Sequence, residues 1–387
     1  MKKILISAGE VSGDVHGAYL AKELKKIRPD IYLFGMGSER LAAEGVDIKF
    51  DISKRGTIGI FEALPNIFPI YLTFIKMKNL LLEVKPDLVL LIDSQGFNLP
   101  FAKFCKKSGV KTAYYIAPQE WLWGSPAGVK KVARAIDLIV AVFEKEYKSY
   151  KQAGANVVYF GHPLIDIVKP SLPRAEARSK YLGAGKFLVS LCPGSRRQEI
   201  KGLFPVLLEA GELIKKEMPE VKFIVPAASQ NIANDLSRYP GTSAINIVVG
   251  QTYDVLSASD LAICTSGTIN LEASLLGVPN IMVYKLSPLT YFIGKYILKI
   301  NEKLPYFSMP NLLMEDKIIP ELIMKNANAN KIASVCLSIL KDPSRQEKMK
   351  KSFARLKTLL GQPGAISNIA QSIVGFFFNP DRIRDDV

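Results

Sequence analysis

The chain has 387 residues, 48% hydrophobic and 22% charged, a composition that excludes a disordered polymer and favours two or more domains with separate cores. Lys and Arg number 51 against 36 Asp and Glu, and the resulting net charge of +15 suits an anionic ligand or an acidic membrane surface. Nucleic acid is disfavoured, because no zinc-finger spacing, RNP-type run or dense basic tract occurs.

Lys3–Ala8 reads as a strand, Gly9 to Asp14 as a turn, and residues 16–27 as a helix carrying Leu20 and Leu24. The opening turns polar at Gly9-Glu10, too early for a secretory leader, so it reads as a first strand in the cytoplasm. Strand, glycine loop and helix begin a doubly wound domain, with the loop at the carboxyl end of the sheet. The loop is not the dinucleotide fingerprint GxGxxG, which disfavours a nicotinamide cofactor. Its Glu10, Ser12, Asp14 and His16 suit a sugar; a capped helix with a polar first turn is the competing reading.

Residues 58–75 are apolar almost throughout, but Pro65 and Pro69 are expected to break them into short pieces. With Lys76, Lys78 and Lys85 following, the stretch suits a face that docks into one leaflet or accepts acyl chains. Its candidate contacts are Ile58, Ile60, Phe61, Ile67, Phe68, Ile70 and Tyr71. A plain buried helix pair fits the same residues. Leu88–Ile92 is a buried parallel-strand pattern ending at Asp93, where a carboxylate faces the ligand crevice of an open α/β sheet. Asp93 is the best general-base candidate, against a capping or ion-paired role. Residues 113–116 form another strand, and the loop after it holds both tryptophans, Trp121 and Trp123, beside either a ligand or the core. Further strands at 138–142 and 156–160 lead to Gly161-His162-Pro163 and a proline-rich boundary.

The pattern then restarts. Strand 187–191 leads into the loop Pro193-Gly194-Ser195-Arg196 and a long helix, and Arg196 suits a diphosphate because guanidinium binds phosphate oxygens in bidentate fashion. Residues 262–279 read as strand, tight turn and helix. Gly267 lets backbone approach a ligand, Ser266 and Thr268 add hydroxyls, and the helix start favours an anion. Glu272, one turn in, suits a ribose diol; an ordinary capped helix with a solvated Glu competes with this nucleotide seat. Residues 288–300 form a basic amphipathic stretch, and Met309-Pro310-Asn311 a proline-fixed loop whose Asn311 suits a ligand. No DxD occurs, so no metal is expected to bridge a diphosphate. The four cysteines, Cys105, Cys192, Cys264 and Cys336, form no CxxC and read as core residues in a reduced compartment. The expected fold is α/β, two Rossmann-like domains facing across a cleft: 1–165, 166–355, and a helical tail 356–387 that returns to the first domain or packs on a partner chain in a homodimer.

Taken in order, SAGEVSGDVHGA, IDSQGFN, APQEWLW, GHP, PGSRRQEI, TSGTINLEA and MPNLL resemble the lipid A disaccharide synthase family of glycosyltransferases from about residue 2 to 378. The resemblance implies a GT-B enzyme without a cofactor. It implies transfer of 2,3-diacylglucosamine from UDP-2,3-diacylglucosamine to 2,3-diacylglucosamine 1-phosphate, with inversion, giving a β(1→6) disaccharide phosphate and UDP. It implies Asp93 as base, Arg196, Ser266, Gly267, Thr268 and Glu272 at UDP, Asn311 as a further site residue, and Glu10, Ser12, Gly13, Asp14 and His16 in the amino-terminal loop. It also implies a peripheral enzyme on the inner face of the inner membrane of a Gram-negative cell. Many relatives carry a second acid where this chain has Gly96, and a more mobile loop is expected there. The competing functions are a muramyl-lipid N-acetylglucosaminyltransferase, a UDP-N-acetylglucosamine epimerase, and a lipid-binding protein without catalysis.

Overall fold

The computed structural model describes residues 1–51, 67–183, 185–285 and 305–378; Ile58, Ile60, Phe61, Pro65 and the stretch 288–300 lie outside them. The chain divides into two compact units, Met1–Ile167 with the residues from Leu360 onward, and Val168–Leu359. The first is built on β1 (Lys3–Ala8), β2 (Tyr32–Gly37), β3 (Asp47–Asp51), β4 (Leu88–Ile92), β5 (Lys111–Tyr115), β6 (Leu138–Ala141) and β7 (Val157–Tyr159). The second is built on β8 (Phe187–Cys192), β9 (Val221–Ala227), β10 (Asn246–Val249), β11 (Leu261–Thr265), β12 (Asn280–Tyr284) and β13 (Glu321–Ile323). Every described pairing is parallel.

The strand orders are β3-β2-β1-β4-β5-β6-β7 and β10-β9-β8-β11-β12-β13. Order therefore reverses between β1 and β4 in the first sheet and between β8 and β11 in the second, and ligand crevices form outside the carboxyl ends at such points. Ala8 pairs with Ile92, so the Gly9 loop and Asp93 leave the sheet side by side. Cys192 pairs with Cys264, so the Arg196 loop and the Ser266 turn do the same. Both faces of these sheets are covered, which is why β4 and β11 are buried at every residue. All four cysteines are buried and free.

Several elements differ from expectation. The first helix runs Val11–Ile27, so Ser12, Gly13 and Asp14 lie in its first turn and not in a loop. Pro69 does not break its segment: it sits in the first turn of a continuous helix, Ile67–Val84, where its missing N–H has no intrahelical partner to lose. Met309–Met314 is a helix and not a loop, with Ser308 as its cap and proline in its first turn. Gly96 likewise lies inside a helix, Gln95–Lys107.

The C-terminal helix Ala365–Phe378 packs on Val11–Ile27. Asp166 caps its start by accepting from the N–H groups of Gly364 (2.7 Å) and Ile366 (3.0 Å). Alongside, the His162 N–H donates to the Leu360 carbonyl at 2.7 Å, and a Cβ on Gly161 (φ 96°) would stand 3.0 Å from that oxygen. Glycine is what lets these two stretches of backbone touch.

Glu146 in the same unit is fully buried. Its Oε2 accepts from the Val142 (2.8 Å) and Phe143 (3.3 Å) N–H groups, its Oε1 has no partner, and burial pushes its pKa up to about 8. The folded protein therefore holds this proton over a range, about 4.5 to 8, in which the unfolded chain releases it. Its stabilising contribution is complete below that range and lost as pH rises through it, by roughly 1.4 kcal/mol per pH unit at most. Glu146→Gln keeps an oxygen to accept from both backbone N–H groups and carries no titrating proton. Thermal melts are expected to show the variant's Tm gaining on that of the wild type from pH 5 to pH 8.

Candidate active site

At the switch point of the first sheet the backbone is forced into unusual shapes. Asp93 (φ 52°), Ser94 (φ 49°) and Ile116 (φ 56°) are left-handed non-glycine residues at the carboxyl ends of β4 and β5. Such conformations cost about 1–3 kcal/mol each and persist only where surrounding structure over-determines them. Asn98 supplies much of that structure. Fully buried, it donates Nδ2 to the carbonyls of Ser7 (3.1 Å), Ile92 (3.1 Å) and Asp93 (2.8 Å), and its Oδ1 accepts from the Ser7 hydroxyl at 2.6 Å. The Tyr114 hydroxyl also donates to the Asp93 carbonyl at 2.7 Å, and the Asp93 N–H to the Tyr115 carbonyl at 3.2 Å.

The Asp93 side chain is thereby aimed out of the sheet, half-buried. Ser12 Oγ donates to its Oδ2 at 3.0 Å, and Oδ1 takes no hydrogen bond from the described residues. One oxygen is held and the other is available, which is the arrangement a general base needs. Gly9 makes the approach of the two loops feasible, since a Cβ there would lie 2.5 Å from Ser94 Oγ. Gly13 sits where the helix crosses the end of β4, its Cβ position 3.5 Å from the Ile92 carbonyl. Glu10, partly exposed, accepts the Asp14 N–H on its carbonyl and so starts that helix.

Asp14 is engaged with backbone elsewhere in the unit, and His16 is a buried ring. Asp14, expected to face a sugar, is 3% exposed and accepts from the N–H groups of Ser38 (2.6 Å), Arg40 (3.1 Å) and Leu41 (3.4 Å), capping the helix Glu39–Ala43. Burial raises its pKa and those bonds oppose the rise. His16 is also buried, edge-on to Tyr115 at 6.0 Å, and burial lowers its pKa to about 4. His162, packed on Phe143, is lowered to about 3 by burial and by His16. Both histidines of the chain are therefore neutral core residues near pH 7.

Glu120 is a residue that the sequence pattern did not single out. Its Oε1 accepts from Gln95 Nε2 at 2.7 Å, joining the β4 and β5 loops, and its Oε2 lies where a Cβ on Gly124 or Gly128 would come within 1.8 or 2.0 Å. Trp121, from the same loop, packs against Phe143. Gly96 has no atom within 4 Å of its Cβ position, so a side chain there would stand in the open.

In the second unit, Arg196 precedes the helix Arg197–Glu217, and its Nη1 lies 3.5 Å from Glu199 Oε1. The N–H groups of Ser195 and Arg196 also bond the Glu199 carboxylate, whose pKa burial raises against these contacts. Gly194 (φ 111°) is required here, because a Cβ would fall 2.3 Å from Glu199 Oε2. Glu199, the acid of the PGSRRQEI motif, to which the sequence reading gives no role, thus shapes the loop and approaches the guanidinium. Beside it, exposed Gly267 (φ 139°) precedes the helix Thr268–Leu275, with Ser266 half-buried and Thr268 exposed. Side chains of Thr268 and Tyr253 bond Glu272, whose pKa is raised by burial and pulled back by those bonds. The Arg196 loop and the helix start with Ser266, Thr268 and Glu272 thus both follow the carboxyl ends of β8 and β11, where strand order reverses, a placement that suits an anion.

Asn311, expected to touch a ligand, is fully buried. It donates Nδ2 to the Ile319 carbonyl (3.0 Å) and Glu321 Oε1 (2.8 Å), and accepts from the Ile319 N–H (2.9 Å). Its amide is spent on positioning the helix Met309–Met314, which packs on Thr268–Leu275. Asn98 has the comparable role at the first site. Replacing it by alanine would remove the Nδ2 donor from the Ser7, Ile92 and Asp93 carbonyls, the last keeping Tyr114, and the acceptor of the Ser7 hydroxyl, so Asn98→Ala is expected to lose about 2–4 kcal/mol in urea unfolding.

A family model described as lipid-A-disaccharide synthetase matches residues 4–372. The lipid-A-disaccharide synthase of Geobacter metallireducens is 38% identical over 372 residues, 95% of this chain and 96% of that protein. That of Nitrosococcus oceani is 37% identical over 374 residues, 96% and 95% of the two chains. Among solved structures, the UDP-GlcNAc 2-epimerase of Neisseria meningitidis bound to UDP-GlcNAc gives a TM-score of 0.63 at 15% identity, covering 96% of this chain and 99% of that one. MurG of Acinetobacter baumannii gives 0.56 at 14%, also covering 96% and 99%. These likenesses establish the GT-B fold and extend no further, so the epimerase and muramyl-lipid readings share only the architecture. On the whole-chain match and the full-length relatives, the chain belongs to the lipid-A-disaccharide synthetase family and is a glycosyltransferase.

Proposed function

We propose that the enzyme transfers 2,3-diacylglucosamine from UDP-2,3-diacylglucosamine to the 6-hydroxyl of 2,3-diacylglucosamine 1-phosphate, with Asp93 as the base. The observation that carries this is the Asp93 carboxylate, held at Oδ2 by Ser12 and open at Oδ1. As the acceptor hydroxyl attacks the anomeric carbon, its proton passes to Asp93, the new C–O bond forms, and the bond to the diphosphate breaks with its electron pair going to UDP. One displacement inverts the centre. A base so placed contributes about 10²–10⁴ in rate. Arg196 and the start of Thr268–Leu275 neutralise the leaving diphosphate, and Glu272 accepts from the ribose hydroxyls. These groups, with the absence of a DxD motif from the sequence, support transfer without a metal ion.

The acyl chains bring the enzyme to a membrane. Phe68 (68% exposed), Tyr71 (58%) and Leu72 (43%) stand out from the helix Ile67–Val84, with Ile70 partly exposed beside them and Lys76 exposed two turns on. No helix among the described residues is long and apolar enough to cross a bilayer. An apolar face with basic neighbours supports peripheral docking on an anionic surface, here the inner face of the inner membrane.

With purified protein in detergent and both substrates, mass spectrometry is expected to detect the disaccharide phosphate, undiminished by EDTA. Asp93→Ala is expected to lower the rate by at least about 10² with UDP binding retained. Product formed equally by the variant would remove Asp93 from the role, and dependence on divalent metal would remove the metal-free mechanism. For the docking face, Phe68→Ser with Tyr71→Ser is expected to reduce co-sedimentation with anionic vesicles while leaving turnover of detergent-dispersed substrate near wild type.

A further inference from the structure

The second unit contains a cavity of about 310 Å³ that none of the assignments above uses. Arg197, Ile200 and Lys201 line it from the first turns of the helix Arg197–Glu217, and Asp235, Arg238 and Tyr239 from the end of the helix Gln230–Leu236 and the residues after it. Its volume lies at the lower end of the range for small-molecule sites. Arg196, Glu199, Tyr253, Thr268 and Glu272 are not part of this lining.

Asp235 organises the cavity. Its side chain is 15% exposed, with Oδ2 accepting from Arg197 Nε at 2.8 Å and Oδ1 from Arg238 Nη1 at 3.4 Å. The two arginines thereby share one carboxylate, yet their side chains remain 80% and 77% exposed. Arg197 uses Nε on this bond and keeps both terminal nitrogens. Three cations against one carboxylate leave the lining two charges positive, a balance that a dianion would meet and a second carboxylate would meet only in part. The remaining walls are apolar or aromatic: Ile200 is buried, and the Tyr239 ring is set by an edge-on contact with Phe204 at 5.4 Å. Adjacent arginines are thus divided between two tasks, with Arg196 turned to Glu199 and Arg197 to Asp235.

We propose that this cavity is a second anion site, taking a phosphomonoester whose phosphate meets Arg197, Lys201 and Arg238 and whose organic part lies against Ile200 and Tyr239. Two sources carry that chemistry, a soluble sugar phosphate and the head of a phosphomonoester lipid.

The test uses the full-length protein saturated with UDP, so that the nucleotide seat is filled. Glucose 1-phosphate is titrated by calorimetry, and co-sedimentation is compared between phosphatidylcholine vesicles with and without phosphatidic acid. The variants are Arg197→Gln with Arg238→Gln, and separately Lys201→Glu, which leaves the Asp235 contacts intact. The expected result is binding of glucose 1-phosphate, or phosphatidic-acid-dependent sedimentation, weakened about tenfold or more in both variants with UDP affinity and Tm unchanged. Weakening of the first alone assigns a soluble ligand, and of the second alone a lipid head. Neither probe binding the wild type, or both variants binding as it does, overturns the site, and intact UDP affinity shows that the failure lies there and not at the nucleotide seat.

Discussion

Asn98 is buried at the point where the strand order of the first sheet reverses, and four hydrogen bonds from one side chain hold the carboxyl ends of β1 and β4 together. The left-handed turn at Asp93 and Ser94 depends on that clamp, because two consecutive non-glycine residues do not stay in this conformation unaided. The direction of the Asp93 carboxylate depends on the turn. Gly9 and Ser12 complete the arrangement, one by leaving room for Ser94 and the other by donating to Oδ2.

The second unit reaches a comparable end with different residues. Glu199 binds the backbone of its own loop and leans toward Arg196, while Gly194 leaves it space. Across the switch point, Thr268 and Tyr253 hold Glu272. Asp93 contrasts with several other described acids. Asp14 and Asp166 spend their oxygens on backbone N–H groups, Asp254 and Glu321 on backbone N–H groups together with neighbouring side chains, and all four act as caps or ties. Asp93 is held by a hydroxyl on one oxygen and open at the other, so it can take a proton without dismantling the fold. The tail is secured by the same physics, since Asp166 caps Ala365–Phe378 and fastens that helix to the unit where the chain began.

The doubly wound character of both halves was legible because buried parallel strands are continuous apolar runs, as in Leu88–Ile92 and Leu261–Thr265, each followed by a glycine-bearing or polar turn. Asp93, Arg196 and the Ser266–Thr268 turn were legible for the same reason, lying where strands end. β3 and β13 are harder to read, being short or mixed in polarity, and β2 carries two glycines, Gly35 and Gly37. Asp14 and Asn311 carry side chains typical of a ligand site, but residue type does not reveal whether a hydrogen bond is made to substrate or to a neighbouring backbone. Pro69 was overestimated as a breaker because its cost depends on its place in the helix, and at the first turn that cost is small.

Local pattern determined the alternation of strand, turn and helix, the two phosphate-favouring loops and the basic surplus, since each follows from residues near one another in sequence. Only tertiary structure decided which polar groups were already satisfied. The partners of Asp14 lie 24 to 27 residues away, Asn98 and Ser7 are 91 apart, and Glu120 reaches Gln95 across 25. The split between Arg196 and Arg197 likewise appears only when Asp235, 38 residues further on, is brought alongside. A hydrogen bond needs its partners within about 3 Å, and sequence spacing does not report which distant segments the sheet brings that close.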